Sequence, residues 1–117
     1  DVSLEDARKA ILMFQQVRVD VLGIVENMSY LVCPHCSGRV DVFSYGGGQR
    51  TAAQMGVNFL GEVPLDPQVR VGGDTGEPVA LKAEDDPHAA PFYALARSVS
   101  ERVAAVAASG PSIEITE

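Results

Sequence analysis

Two short apolar runs rich in β-branched residues set the strongest limit on the fold. They are residues 21–25, Val-Leu-Gly-Ile-Val, and residues 57–63, Val-Asn-Phe-Leu-Gly-Glu-Val. The first is continuous rather than alternating, the pattern of a strand covered on both faces in a parallel sheet. Between them, residues 49–55 are good helix formers and stop at Gly56, a natural C-terminal cap. Strand, helix and strand in that order form a βαβ unit, whose two strands run parallel. A parallel sheet of two strands leaves both edges and much apolar surface open. The chain is therefore expected to be α/β, a partial parallel-sheet fold of three-layer, Rossmann-like type that belongs to a larger domain.

Other signals complete the outline. Ser3 followed by Leu4, Glu5 and Asp6 predicts a helix over residues 4–16, with the hydroxyl as N-cap and acids in the first turn. Asp86 as N-cap and Pro87 at the first helical position predict a long closing helix carrying Phe92, Leu95, Ala96, Val99, Val103 and Val106 on its apolar side. Residues 1–108 read as one domain and 109–117 as a flexible tail. Two stretches do not fit a minimal α/β design. One is 26–48, which holds both cysteines and Gly46-Gly47-Gly48; the other is 64–85, which holds Gly72-Gly73-Asp74 and Gly76-Glu77-Pro78. Loops of that length in compact domains carry function or move. The glycine triplet reads as a flexible entry to the helix that follows.

Charge narrows the function classes. Nine basic residues stand against sixteen acidic ones, a net charge of -7, and no run of Lys or Arg offers a footprint for nucleic acid or an anionic membrane. No apolar stretch approaches the roughly 20 residues that span a bilayer, and the first residues lack the basic start of a signal peptide. These features point to the cytoplasm. Two cysteines two residues apart in a reducing compartment favour a metal or redox site over a structural disulfide.

Cys33-Pro34-His35-Cys36 lets two thiols converge on one centre. Tetrahedral zinc or a cubane iron–sulfur cluster takes about four protein ligands, so one chain supplies half of them. A two-fold dimer that brings both pairs to its axis is the simplest completion. Three other readings stand beside it. Cys-Pro-His-Cys is also the tetrapeptide of thiol oxidoreductases whose first cysteine begins a helix, although Ser37-Gly38-Arg39-Val40 is a poor helix. Cys-Pro-x-Cys followed by glycine is like half of a zinc ribbon, which makes zinc a substitute. A local disulfide, or an idle pair, is the third. His35 lies between the cysteines and is expected to point away from a shared centre; His88 is expected at the surface.

The order of motifs is more specific than any one of them. Residues 21–30, Val-Leu-Gly-Ile-Val-Glu-Asn-Met-Ser-Tyr, precede the Cys33–Cys36 motif, then Gly46-Gly47-Gly48, then Phe59-Leu60-Gly61-Glu62-Val63-Pro64-Leu65-Asp66, then Gly73-Asp74-Thr75-Gly76-Glu77-Pro78. From residue 1 to about 105 this series resembles the Mrp/ApbC family, relatives of the ParA/MinD ATPases and the nitrogenase iron protein. The resemblance implies a P-loop NTPase-like fold and a homodimer whose Cys33 and Cys36 hold a bridging cluster, a 4Fe-4S cluster by that likeness. It implies ATP with magnesium in the full-length protein, and delivery of the cluster to apo iron–sulfur proteins. It implies that the Asn27 amide reads adenine and that Pro64, Leu65 and Asp66 close over the other side of the base. Both segments follow strand carboxyl ends, where open α/β sheets bind ligands. Taken alone, Asn27 would read as a turn residue making local hydrogen bonds.

The chain departs from the family in one large respect. It has no G-x-x-x-x-G-K-[ST] and no Walker B aspartate, so it is expected to lack the N-terminal strands and P-loop and not to hydrolyse ATP by itself. The resemblance thus identifies it as the C-terminal half of such an ATPase, an iron–sulfur carrier or scaffold. A non-catalytic zinc- or cluster-bridged dimerisation module is the alternative.

Overall fold

The structure, a computed structural model, describes residues 2–110. Along the chain run α1 (Val2–Gln16), β1 (Ile24–Glu26), β2 (Leu31–Val32), β3 (Arg39–Val40), α2 (Gly47–Met55), β4 (Phe59–Glu62), α3 (Pro67–Thr75), a 3-10 turn (Val79–Leu81) and α4 (Ala90–Ala108). β1 and β4 pair in parallel, with Ile24 opposite Phe59, Val25 opposite Gly61 and Glu26 opposite Glu62. α2 connects them and packs on both, α1 packs on α2, and α4 packs on β4. The βαβ unit and the α/β class expected from the two apolar runs are both present.

Local chemistry explains the boundaries. The first strand starts at Ile24 rather than at residue 21. Just before it the backbones come so close that a Cβ on Gly23 would stand 2.5 Å from the Asn58 carbonyl and 2.7 Å from Leu60 Cγ. Gly56 closes α2 in the left-handed region at φ 67, its N–H bonded to the carbonyls of Ala52 and Ala53. The glycine triplet is not a flexible entry. Gly46 caps α2, and Gly47 and Gly48 form its first turn, where a Cβ would meet Leu4 Cδ1 at 2.9 Å and Glu26 Cβ at 3.0 Å. The triplet lets α2 sit close against α1 and β1.

Two cap assignments change. α1 already begins at Val2, so Ser3 lies inside its first turn rather than at the N-cap. Asp86 caps a turn instead of the closing helix: its Oδ1 accepts from the His88 amide at 2.9 Å, and α4 starts at Ala90 with Pro91 in its first turn. Residues 64–85 hold α3, entered through Asp66 and Pro67 and closed at Gly76. Of the expected tail, Ser109 caps α4 through its hydroxyl and amide, and residues 111–117 lie outside the described residues.

The core is small. Among the described residues the buried apolar side chains are Ile11, Ala52, Val63, Val79 and Ala89, and α4 has no fully buried residue. The radius of gyration is 17.5 Å, against about 13 Å for a compact domain of this length. Leu12, Met13 and Phe14 of α1 are exposed. This open apolar surface is what a sheet of two parallel strands was expected to leave. No helix among the described residues is long and apolar enough to cross a membrane.

Candidate functional site

The cysteines sit at the tip of a hairpin. β2 and β3 pair antiparallel, Leu31 opposite Val40 and Val32 opposite Arg39. The Cys33 amide donates to the Gly38 carbonyl and the Ser37 amide to the Cys33 carbonyl, both at 2.8 Å, while Ser37 adopts φ 60 to make the turn. Cys33 is half-buried, Cys36 is exposed, and both are free thiols. The backbone amides of His35 and Cys36, then the Cys36 side chain, hydrogen-bond to Cys33 and hold its thiol below the ordinary range; slight burial opposes them. The metal-binding thiolate is thereby favoured. His35 is exposed, as expected, and acts here through its amide. The segment after Cys36 enters β3 rather than a helix, so Cys33 has no helix N-terminus to activate it. Among the described residues no group of three or more His, Cys, Asp or Glu is placed to hold a metal ion.

The hairpin is joined to the parallel ladder. Beyond β4 the chain runs beside the segment leading into β2: Val63 N–H donates to Glu26 O at 2.9 Å, Ser29 N–H to Val63 O at 3.0 Å, and Leu65 N–H to Tyr30 O at 2.7 Å. A parallel bridge between Leu31 and Leu65 completes the junction. One cavity of about 500 Å³ is consequently lined by Cys33, Tyr30, Pro64, Leu65, Asp66 and His88.

Asp66 is fully engaged. Its Oδ1 caps α3 by accepting from Gln68 N–H at 2.9 Å, and its Oδ2 lies 2.5 Å from His88 Nδ1. His88 is thus part of the cavity rather than an ordinary surface residue. Nothing in the sequence links positions 66 and 88, which only tertiary packing brings together.

Asn27 lies elsewhere. Its Oδ1 accepts from the Met28 amide at 2.9 Å, the local turn bond that the residue suggests by itself. It borders a second cavity of about 790 Å³ with Glu26, Val42, Phe43, Gly48 and Arg50. The structure therefore joins Pro64, Leu65 and Asp66 to Cys33, and puts Asn27 in a different cavity. Glu26 Oε2 is buried there without a hydrogen-bond partner among the described residues.

Arg39 was not singled out by sequence. Its guanidinium lies 4.0 Å from the centre of the Tyr30 ring and 4.5 Å from that of Tyr45. Its Nε is 3.0 Å from Asp41 Oδ1 and its Nη1 3.8 Å from Glu62 Oε1.

Comparison with known proteins adds an independent line. Residues 1–100 match the family described as ParA: NUBPL iron-transfer P-loop NTPase. The chain is similar to an iron-sulfur cluster carrier protein of Pyrococcus horikoshii, 40% identical over 110 residues that make up 94% of this chain and 37% of the relative. It is similar to the iron-sulfur cluster transfer protein NUBPL of Dictyostelium discoideum, 39% identical over 88% of this chain and 32% of the relative. An iron-sulfur protein required for NADH dehydrogenase, mitochondrial, from Arabidopsis thaliana is 43% identical over 85% of this chain and 32% of the relative. Among solved structures, a nucleotide-binding protein in complex with ADP from Archaeoglobus fulgidus aligns with TM-score 0.54 and 38% identity, over 61% of this chain and 29% of that one. The chain spans about a third of the length of the curated relatives it matches.

Proposed function

Since the chain belongs to the ParA family of NUBPL iron-transfer P-loop NTPases, we propose that it carries an iron–sulfur cluster on Cys33 and Cys36 and passes it to apo iron–sulfur proteins. The observation that carries this reading is the hairpin tip. It presents two free thiols with Cys33 poised toward thiolate, and no third ligand joins them among the described residues. Two sulfurs from each of two chains complete a 4Fe-4S shell, so the cargo bridges a homodimer. Iron ligation displaces the thiol protons, and reprotonation favours release, which makes retention depend on pH. A cluster held at an exposed hairpin between two chains is open to an acceptor protein.

ATP with magnesium belongs to the whole protein in this proposal. Asn27 and the segment Pro64, Leu65 and Asp66 are assigned to adenine on the likeness to the family; they border separate cavities, and the second segment touches the hairpin through the Leu31–Leu65 bridge. Phosphate chemistry is assigned to the part of family members that this chain does not span. Free thiols suit a reducing compartment such as the cytoplasm.

A zinc-bridged dimerisation module is the second reading, favoured by the two-cysteine hairpin turn itself. Reconstitution with iron and sulfide under oxygen exclusion separates the two. The carrier reading expects about equal iron and acid-labile sulfide, a visible absorption band, and a dimer by light scattering. Binding of zinc with no iron or sulfide retained, by a chain that dimerises on zinc alone, would favour the second reading and reject the carrier.

A further inference from the structure

The geometry points to Arg39 as the positioning residue that aims Cys33 and Cys36 at their cargo, an assignment that rests on reading those cysteines as cluster ligands. β2 and β3 have two residues each, and a ribbon that short is not stable in water unaided. β2 is held to the body by the Leu31–Leu65 bridge and the Leu65 to Tyr30 hydrogen bond. Among the described residues β3, which leaves the cysteine turn, pairs with β2 alone. The Arg39 side chain supplies the missing attachment.

Its guanidinium contacts two rings from different segments, Tyr30 just before β2 and Tyr45 just before α2. Its edge reaches Asp41 beyond β3 and Glu62 at the end of β4. Glu62 is fixed in turn, since its other oxygen accepts from the hydroxyl of buried Ser29 at 2.7 Å. One cation thereby ties the return strand of the hairpin to the sheet and to the helix entry.

A planar guanidinium can offer two faces to aromatic rings and its edge to two carboxylates, whereas a lysine ammonium keeps the charge and loses the stack. Arg39 follows Gly38, whose carbonyl accepts from the Cys33 amide at 2.8 Å across the cysteine turn. Freeing Arg39 therefore frees the tilt of the thiol pair without altering either sulfur. Groups that orient metal ligands in this indirect way change metal affinity by roughly 10–100-fold when removed.

Cobalt(II) is the probe. The chain is titrated with it under oxygen exclusion, thiolate-to-cobalt absorption gives affinity, and a chelator chase gives the release rate. Arg39→Ala is expected to release cobalt about tenfold faster, Tyr45→Leu to move the same way, and Arg39→Lys to recover part of the loss. That rescue is what a merely structural role would not produce. Parent-like release from Arg39→Ala overturns the assignment. Should circular dichroism show that Arg39→Ala does not fold, Arg39→Lys and Tyr45→Leu decide: parent rates in both overturn it, and faster release in both upholds it. Cys33→Ser distinguishes the premise. If it binds cobalt as the parent does, the ligand reading fails; if it abolishes binding while the Arg39 and Tyr45 variants release normally, only the role of Arg39 fails.

Discussion

The βαβ body and the cysteine hairpin are held by different forces. In the body, β1 and β4 share a parallel ladder, and α2 presses Thr51 and Ala52 against it with each residue 2% exposed. In the hairpin, Val32, Val40, Val42 and Phe43 are all exposed, and the ties are one bridge, a few amide bonds and a stacked cation. Burial makes the body cooperative; polar and aromatic contacts make the hairpin adjustable. Damage to the body should therefore appear as lost stability, and damage to the hairpin as lost binding at nearly unchanged stability.

The largest effect expected is in the hairpin. Cys33→Ser or Cys36→Ser should abolish iron retention, measured by metal and sulfide analysis, while leaving the thermal midpoint within about 2 °C, since both side chains contact little of the core. A midpoint that fell far would break the comparison. Because its pKa lies below the ordinary thiol range, Cys33 stays thiolate to lower pH than an ordinary thiol does. In the metal-free chain, alkylation followed by mass spectrometry should mark Cys33 faster at neutral pH than it marks the cysteine of an unstructured peptide. The sign for stability is the same: the depressed thiol favours the folded chain above its unfolded pKa, and that contribution fades as pH falls through the folded value.

In the body, Gly23→Ala should cost about 1–3 kcal/mol by urea unfolding, because the new Cβ meets the Asn58 carbonyl, a backbone group that cannot turn away. Asp66→Ala removes the α3 cap and the His88 partner and should cost about 1 kcal/mol. Arg70→Ala breaks an exposed pair with Asp74 on α3 and should change stability by no more than about 0.5 kcal/mol. Were that surface change to equal the effect at Gly23, burial would not be what separates the two regions.

Much of this was legible locally. The two apolar runs, the helix between them and the Gly56 cap are set by neighbours in the chain, and they appear in the fold with shortened ends. The cysteine pair was legible because two thiols at that spacing have few uses. α3 was missed although Asp66-Pro67 and Gly76 are start and stop signals, because residues 64–85 read as a long loop outside the α/β design. Gly72 is there for contact: a Cβ would stand 2.6 Å from the Glu77 carbonyl. The glycines that open α2 misled in the same way, since close packing and flexibility call for the same residue.

By itself the sequence determined the α/β class and the family likeness, since periodicity and motif order are properties of the chain. Only the tertiary structure decided that Cys33 shares a cavity with Asp66 and His88, that Asn27 borders another, and that Arg39 contacts two tyrosines. Those are distances between segments far apart in sequence. They follow from how the ladder past β4 lies against the hairpin, which no local pattern specifies.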